Sequence, residues 1–308
     1  MICVSSTDIY GRIASLKNKR NAVIFAHYYQ PCEVQKAADI VGDSFQLAKY
    51  AEEVENEVIV MCGVRFMAET AKILSPEKTV LLPKPDAGCS MADMVTPADV
   101  RKLRQFFPKA AVMCYVNTSA AVKAECDICC TSSSAVKAAE SLKQRQIIFL
   151  PDKNLGGYIR GKVPEKEFIL WDGCCPVHNS VTEKDFTNAK NRHPEAEVLV
   201  HPECTEGVQK MADFVGSTSE IISRISSSNN KGGYIIGTEA GVYERLREIY
   251  PEKSIYQVSN DMVCADMKKT GLQDIVYTLE TGTFEINLPE DILLRSRASL
   301  EKMMVACG

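Results

Sequence analysis

The chain of 308 residues is 45% hydrophobic and 25% charged, a composition that is typical of a folded globular protein and excludes a disordered or fibrous one. Its formal net charge of −4 gives no support to a surface for nucleic acid or for anionic membranes. No apolar run approaches the ~20 residues that cross a bilayer, and the amino terminus lacks the pattern of a secretory signal, so we expect a cytoplasmic protein with no membrane or nucleic-acid partner.

Short apolar runs alternate with helical segments along the whole chain. Most of these runs are apolar throughout, which is typical of parallel strands buried on both faces, and the alternation predicts α/β layers. A polar stretch at 226–233 predicts a surface loop, and 284–305 predicts a terminal helix. The predicted strands lie at 21–27, 57–63, 79–83, 110–116, 146–151, 167–171, 197–201, 232–237 and 254–258.

An internal repeat underlies this alternation. Three predicted strands end in a polar residue, which is followed 12 residues later by an aspartate and 17 residues later by a serine or threonine. A further strand and helix follow, and then a fourth strand that runs into a loop with a cysteine. The ungapped register, found three times, is not readily explained by chance. The equivalent residues are His27, Tyr115 and His201; Asp39, Asp127 and Asp213; Ser44, Ser132 and Thr218; and Cys89, Cys175 and Cys264.

The repeat predicts an α/β fold of three similar α/β/α units, with four-stranded parallel sheets, around a pseudo-threefold axis. We expect the units at 1–106, 107–194 and 195–275, followed by a segment at 276–308 that packs back on the body. Ligands bind beyond the carboxyl ends of parallel strands, so the three equivalent strand ends should face one central cavity.

The cysteines suggest a metal centre. Most of the 13, including Cys62 and Cys114 within apolar runs, are expected to be buried core residues. The sequence has neither a CxxCxxC run nor a pair of CxxC motifs, which disfavours a ferredoxin-type site or a zinc ribbon. The three loop cysteines of the repeat instead predict three thiolates around one axis. Such a set can hold three irons of a cubane cluster and leave the fourth iron open as a Lewis acid.

Polar side chains are expected beside those cysteines. The residue two positions beyond each strand-end residue is also polar, and alternate strand residues share a face, so each pair should point the same way. The set offers hydrogen bonds, a general acid and a general base. The helix openings at 42–44, 131–133 and 216–218 predict N-caps that can also bind anionic groups. The pairs are His27 with Tyr29, Tyr115 with Asn117, and His201 with Glu203.

Several segments resemble the signature segments of the quinolinate synthase A family: AHYYQ, GDS, GCSMADM, YVNTSA, CTSS, CPVH, HPEC, GST, GTE and VCADMK, in that family's order between residues 26 and 268. The resemblance implies condensation of iminoaspartate with dihydroxyacetone phosphate to give quinolinate, phosphate and two waters, a step of de novo NAD synthesis. It implies one 4Fe–4S cluster with one open iron and three ligands, at Cys89, Cys175 and Cys264. Cys174 is an alternative ligand, although the CPxH pattern favours Cys175. A transient contact with the imine-producing enzyme is left open.

The resemblance also implies roles for the site residues. Glu203 would be the base, with partial burial near His201 adjusting its pKa, and His27 and Tyr29 would hold the triose. These four are the expected catalytic residues. Another 4Fe–4S hydroxy-acid dehydratase, a cluster-based metabolite sensor and a zinc-binding structural protein remain alternatives. Tyr115, Asn117 and Ser132 would bind one carboxylate. Ser44 or Thr218 would bind the remaining anions. Further candidates, for which a structural role is equally open, are His178, Thr238 and Glu239.

Overall fold

Three separate four-stranded sheets, all parallel, form the framework of the protein. The computed structural model describes the backbone of residues 6–307. In each sheet the first strand of the unit lies between the second and the third, and the fourth strand pairs with the third. The prediction of three α/β units with four-stranded parallel sheets is therefore confirmed.

The first unit consists of the strands of the first sheet and the helices that precede and surround them. They are α1 (Ser6–Lys19), β1 (Ala22–His27), α2 (Cys32–Ala37), β2 (Ile40–Gly42), α3 (Ser44–Glu53), β3 (Val58–Cys62), α4 (Arg65–Leu74), β4 (Thr79–Leu81), a 3₁₀ turn (Ala92–Met94) and α5 (Pro97–Phe106).

The second and third units repeat this order. The second contains β5 (Ala111–Tyr115), α6 (Ala120–Lys123), β6 (Ile128–Cys130), α7 (Ala135–Ser141), β7 (Gln146–Leu150), α8 (Lys153–Lys162), β8 (Glu167–Leu170), α9 (Pro176–Asn179) and α10 (Glu183–Arg192). The third contains β9 (Glu197–Val200), α11 (Glu206–Lys210), β10 (Phe214–Val215), α12 (Thr218–Ser227), β11 (Tyr234–Gly237), α13 (Ala240–Ile249) and β12 (Ile255–Gln257).

Two helices end the chain and pack on different units. The helix α14 (Leu272–Thr281) lies against α1, α2 and β3 of the first unit. The helix α15 (Glu290–Cys307) lies against α6, β6 and α7 of the second unit and also contacts α4. The carboxyl-terminal segment thus ties two units together. The boundaries of the three units remain predictions.

The first and third strands of each unit, which are the inner strands of the sheets, are buried on both faces, as their apolar sequences predict, whereas the edge strand β8 is only partly buried. Val23 and Phe25 of β1 point into one hydrophobic cluster, whereas Ile24 and Ala26 point into another. The strands β2, β6 and β10 were not among the predicted runs, because two or three residues are too few to show a hydrophobic pattern. No helix within residues 6–307 has both the length and the apolar character needed to cross a bilayer.

The repeated aspartates have a structural task. The backbone N–H of Asp39 donates to the carbonyl of Ile24 at 2.9 Å, and the N–H of Ile24 donates back to Asp39 Oδ2 at 2.8 Å. This reciprocal pair fixes the chain as it enters the second strand, and so it sets the register of the second strand against the first. The same two bonds join Asp127 to Val112 and Asp213 to Val198.

Candidate active site

One cavity lies beyond the carboxyl ends of the strands and is lined by side chains of all three units. It is lined by all twelve residues that the sequence predicts to hold the cluster or to bind substrate; of the further candidates, His178 and Glu239 line it and Thr238 does not. These residues are spread over most of the chain, and they meet because they occupy equivalent positions in the three units. The predicted residues that line it are His27, Tyr29, Ser44, Cys89, Tyr115, Asn117, Ser132, Cys175, His201, Glu203, Thr218 and Cys264.

The three cysteines have the same local geometry. Each sulfur accepts a hydrogen bond from the backbone N–H three residues later, at Ala92, His178 and Met267 respectively. Burial raises the pKa of the Cys89 thiol to about 12, and it raises the pKa of the other two thiols as well. The protein alone therefore holds neutral thiols, while its amides point at the positions where sulfur charge would develop on metal binding.

Two histidines occupy equivalent strand ends in the same orientation. His27 Nδ1 accepts the backbone N–H of Tyr29 at 3.1 Å, and His201 Nδ1 accepts the N–H of Glu203 at 3.4 Å. Burial lowers the pKa of both imidazoles to about 3, so both rings are neutral near pH 7. With Nδ1 accepting, the proton of each ring lies on Nε2, and each ring is a neutral hydrogen-bond donor there.

Glu203 is a buried carboxylate with two protein donors. Tyr115 Oη donates to Oε1 at 2.7 Å, and His178 Nδ1 lies 2.9 Å from Oε2. Burial alone would raise the pKa of Glu203, but the neighbouring His201 and His178 and these two hydrogen bonds outweigh it and lower the pKa. The group is therefore a stabilised anion, which differs from the expectation that burial near His201 would leave it ready both to gain and to lose a proton.

A chain of hydrogen bonds continues from Glu203 across the site. His178 Nε2 lies 3.1 Å from Thr238 Oγ1, which in turn lies 3.0 Å from the hydroxyl of Tyr29. The Tyr29 hydroxyl also contacts Thr218 Oγ1 at 3.1 Å. Burial raises the pKa of Tyr29 well above its ordinary value, so its hydroxyl stays protonated. The chain joins groups from all three units into one network.

Acidic side chains hold two of the cysteine loops, and sequence reasoning missed the first. The N–H of Cys175 donates to Asp152 Oδ2 at 3.0 Å, and the N–H of Cys264 donates to Glu239 Oε1 at 3.0 Å. Burial raises the pKa of Asp152 to about 7, with Glu203 adding to the effect. The signal available in the sequence was an acidic residue two positions beyond the third strand in two of the units. In the first unit the equivalent residue is Val64, whose side chain caps nothing.

One expectation from the sequence is corrected. Ser44 and Thr218 are the first residues of α3 and α12, but α7 begins only at Ala135, so Ser132 lies in a turn before the helix and not at its opening. Cys174 does not line the cavity, and its N–H points at the sulfur of Met94, 3.4 Å away. The expectation that Cys62 and Cys114 are core residues is confirmed, since both are fully buried.

The fold and the cavity together are those of an α/β enzyme whose candidate active site is assembled from three repeated units. A family model described as Quinolinate synthetase A protein matches residues 11–305. The chain is 48% identical over 296 residues to quinolinate synthase of Clostridioides difficile (strain 630), covering 96% of this chain and 97% of that protein. It is 49% identical over 292 residues to quinolinate synthase of Caldicellulosiruptor saccharolyticus, covering 95% and 96% respectively.

The chain belongs to the quinolinate synthase A family, and its function is quinolinate synthesis in NAD biosynthesis. The resemblance that the signature segments indicated is thereby confirmed. Among solved structures, an aspartate transcarbamoylase from Trypanosoma cruzi in complex with aspartate and phosphate covers 96% of this chain and 92% of its own, at 8% identity and a TM-score of 0.16, a likeness too weak to bear on the fold.

Proposed function

We propose that the cavity is where iminoaspartate condenses with dihydroxyacetone phosphate to give quinolinate, phosphate and two waters. One observation carries the proposal: three cysteines at equivalent positions of three units line the same cavity as six polar strand-end groups. The source of the iminoaspartate, a transient contact with the enzyme that makes it, and a cytoplasmic location stay predictions.

Cys89, Cys175 and Cys264 would hold one 4Fe–4S cluster with an open iron. The donor set fits this group, because each unit presents one thiol and a backbone N–H directed at its sulfur. The acceptors on Asp152 and Glu239 keep two of the cysteine loops in place. When bound, the cluster supplies a Lewis acid for a carboxylate or a leaving hydroxyl.

Glu203 is the proposed base. Its basicity is low while Tyr115 and His178 both donate to it. The Tyr115 hydroxyl is also bonded to Ser132, beside Asn117 in the cavity. A substrate carboxylate that binds to these three groups would compete for the Tyr115 proton. Glu203 would then lose a donor, and its pKa would rise at the moment when a proton has to be taken from the substrate.

The triose would be held by His27 and Tyr29. The Nε2–H of His27, which lines the cavity, is a neutral donor suited to a carbonyl or hydroxyl oxygen. Tyr29 is linked through Thr238 to His178 and so to Glu203. A proton exchanged at the triose hydroxyl therefore has a continuous hydrogen-bonded path to the base.

The phosphate would lie near Ser44 and Thr218, at the first residues of two ten-residue helices. Asp43 already accepts the N–H groups of the second and third residues of α3, and Ser217 Oγ accepts the N–H of the third residue of α12. The hydroxyls of Ser44 and Thr218 and the first helical amides would donate to the ligand, with the Thr218 hydroxyl also bonded to Tyr29. Asp43 also lines the cavity, and its charge disfavours tight anion binding there. Such a site suits a phosphate group that has to leave as a product.

An anaerobic assay tests the proposal. Purified protein with a reconstituted cluster receives dihydroxyacetone phosphate and iminoaspartate generated in place, and quinolinate is measured. We expect turnover by the wild type and by Cys174→Ser, and none by Cys175→Ser. Cys174 is a matched control because it adjoins Cys175 but does not line the cavity. Reconstituted wild-type protein that forms no quinolinate would overturn the proposal.

A single metal ion is the second candidate for this site. Ligand atoms of Cys175, His178 and Glu203 lie within 4.8 Å of one another, which is close enough for one ion. A mononuclear site of these three groups would survive Cys89→Ser, whereas a cluster would not. Iron and sulfide bound in equal amounts by the wild type, and lost in that variant, would exclude the single ion.

A further inference from the structure

We propose that a side-chain donor at the same position in each unit clamps the strand-end loop of the active site, and that the donor of the second unit, Lys123, which is fully buried, also supplies a positive charge for binding a substrate carboxylate. The role of the charge rests on the proposed function, whereas the clamp itself does not.

The clamp occurs three times with the same geometry. In the first unit Gln35 Nε2 donates to the carbonyls of Tyr28 and Gln30, at 2.9 Å each. In the third unit Gln209 Nε2 makes the equivalent bonds, at 2.8 and 2.7 Å. Both glutamines lie eight residues after the strand-end histidine. The acceptors of Gln209 are the carbonyls of Pro202 and Cys204.

Lys123 takes this place in the second unit, eight residues after Tyr115. Its Nζ donates to the carbonyl of Val116 at 2.7 Å and to the carbonyl of Thr118. In every unit the two clamped carbonyls flank one residue that lines the cavity. Fixing the carbonyls on both sides fixes the direction of the side chain between them. These flanked residues are Tyr29, Asn117 and Glu203.

The positive charge of Lys123 is not needed for the clamp. Lys123 is fully buried, and none of the described carboxylates lies within 4.0 Å of its Nζ. On the neighbouring α4, Glu69 accepts the N–H of Ala120 and pairs with Arg65 at 3.1 Å. A buried charge without a counter-ion is costly, and the other two units perform the same task with a neutral amide. The charge therefore calls for a function of its own.

The position of the Lys123 ammonium group indicates that its charge serves to bind an anion in the cavity. It lies 5.6 Å from the centroid of the Phe66 ring, and Phe66 itself lines the cavity. The loop that it clamps carries Asn117 and follows Tyr115, two of the groups proposed to bind a carboxylate. An anion bound there would supply the missing counter-charge. The Lys123 ammonium group and the bound carboxylate would be separated by the Phe66 ring and one turn of backbone. At an effective dielectric constant of ~20, their attraction changes the affinity for the carboxylate roughly tenfold or more.

Two substitutions separate the two roles. Lys123→Gln introduces the clamp residue of the other units without the charge, and Lys123→Met removes both clamp and charge. Calorimetric binding of quinolinate to cluster-loaded protein measures the charge, and hydrogen exchange of the amides at 116–118 measures the clamp. Lys78→Gln is the matched control, because Lys78 is also buried and donates to the carbonyls of Ala51 and Val54, but does not line the cavity.

We expect Lys123→Gln to keep the protection of residues 116–118 and to bind quinolinate roughly tenfold more weakly, while Lys78→Gln binds as the wild type does. We expect Lys123→Met to lose both protection and affinity. Wild-type affinity in Lys123→Gln would overturn the role of the charge. Unchanged exchange in Lys123→Met would overturn the clamp. Wild-type protein that does not bind quinolinate would instead count against the proposed function, and the exchange measurement would still decide on the clamp.

Discussion

Replacing Tyr115 by phenylalanine removes one hydroxyl from the centre of the site and changes little else. That hydroxyl donates to Glu203 Oε1 at 2.7 Å and is bonded to Ser132. A hydrogen bond to a charged group contributes ~1.5–3 kcal/mol, so its loss makes the Glu203 anion less stable and raises its pKa. Because Glu203 is then protonated at higher pH, we expect the acidic limb of the kcat/KM profile to move to higher pH.

The same substitution removes a donor to the substrate carboxylate. The same ~1.5–3 kcal/mol corresponds to a rise in KM for iminoaspartate of roughly 10- to 150-fold. Anaerobic steady-state kinetics over a range of pH measure both effects. Tyr158→Phe is the control, because the Tyr158 hydroxyl donates to the carbonyl of Val215 at 3.4 Å, outside the cavity. An acidic limb that stays in place in Tyr115→Phe would refute the link between Tyr115 and the base.

Three further outcomes are expected. Glu203→Gln should retain the cluster spectrum but lose at least ~100-fold in kcat, and near wild-type turnover would exclude Glu203 as the base. Asp152→Ala removes the acceptor of the Cys175 N–H, so a chelator should strip iron ~10–100-fold more readily, measured by the decay of cluster absorbance. The pKa of about 3 for His27 and His201 lies below the ordinary 6.5, so these groups contribute stability that is complete above pH 6.5 and is lost as the pH falls towards 3. Urea unfolding at several pH values should show this loss, and a double His→Gln variant should show a flatter profile.

The positions of the site residues were predictable because the repeat is a property of the sequence. His27 and Tyr29 are alternate residues at the end of a buried strand, so both point into whatever lies beyond that strand. The same reasoning applies to the other two units. The location of Ser132 was not predictable, since residues 132–134 form a turn where the other two units already form helix, and this difference leaves no trace in the hydrophobic pattern.

The protonation states and supporting contacts of the site residues could be inferred only from the three-dimensional structure. Sequence alone could not show that two donors hold Glu203 as an anion, because Tyr115 and His178 are distant from it along the chain. Asp152 was missed because Val64 breaks the repeat at its position in the first unit. Lys123 was missed for a related reason: a lysine and two glutamines look unrelated until their donors are seen to bond to equivalent carbonyls.

The clamps described above separate the parts of each unit that are constant from the parts that vary. The donor and the reciprocal aspartate perform the same task in all three units, whereas the residue held between the clamped carbonyls is a tyrosine, an asparagine or a glutamate. Each loop thus acts as a socket that accepts different side chains without a change of backbone. Duplication of one such unit would yield a symmetric cavity first, and substitutions at the three sockets could then adapt it to an asymmetric pair of substrates one position at a time.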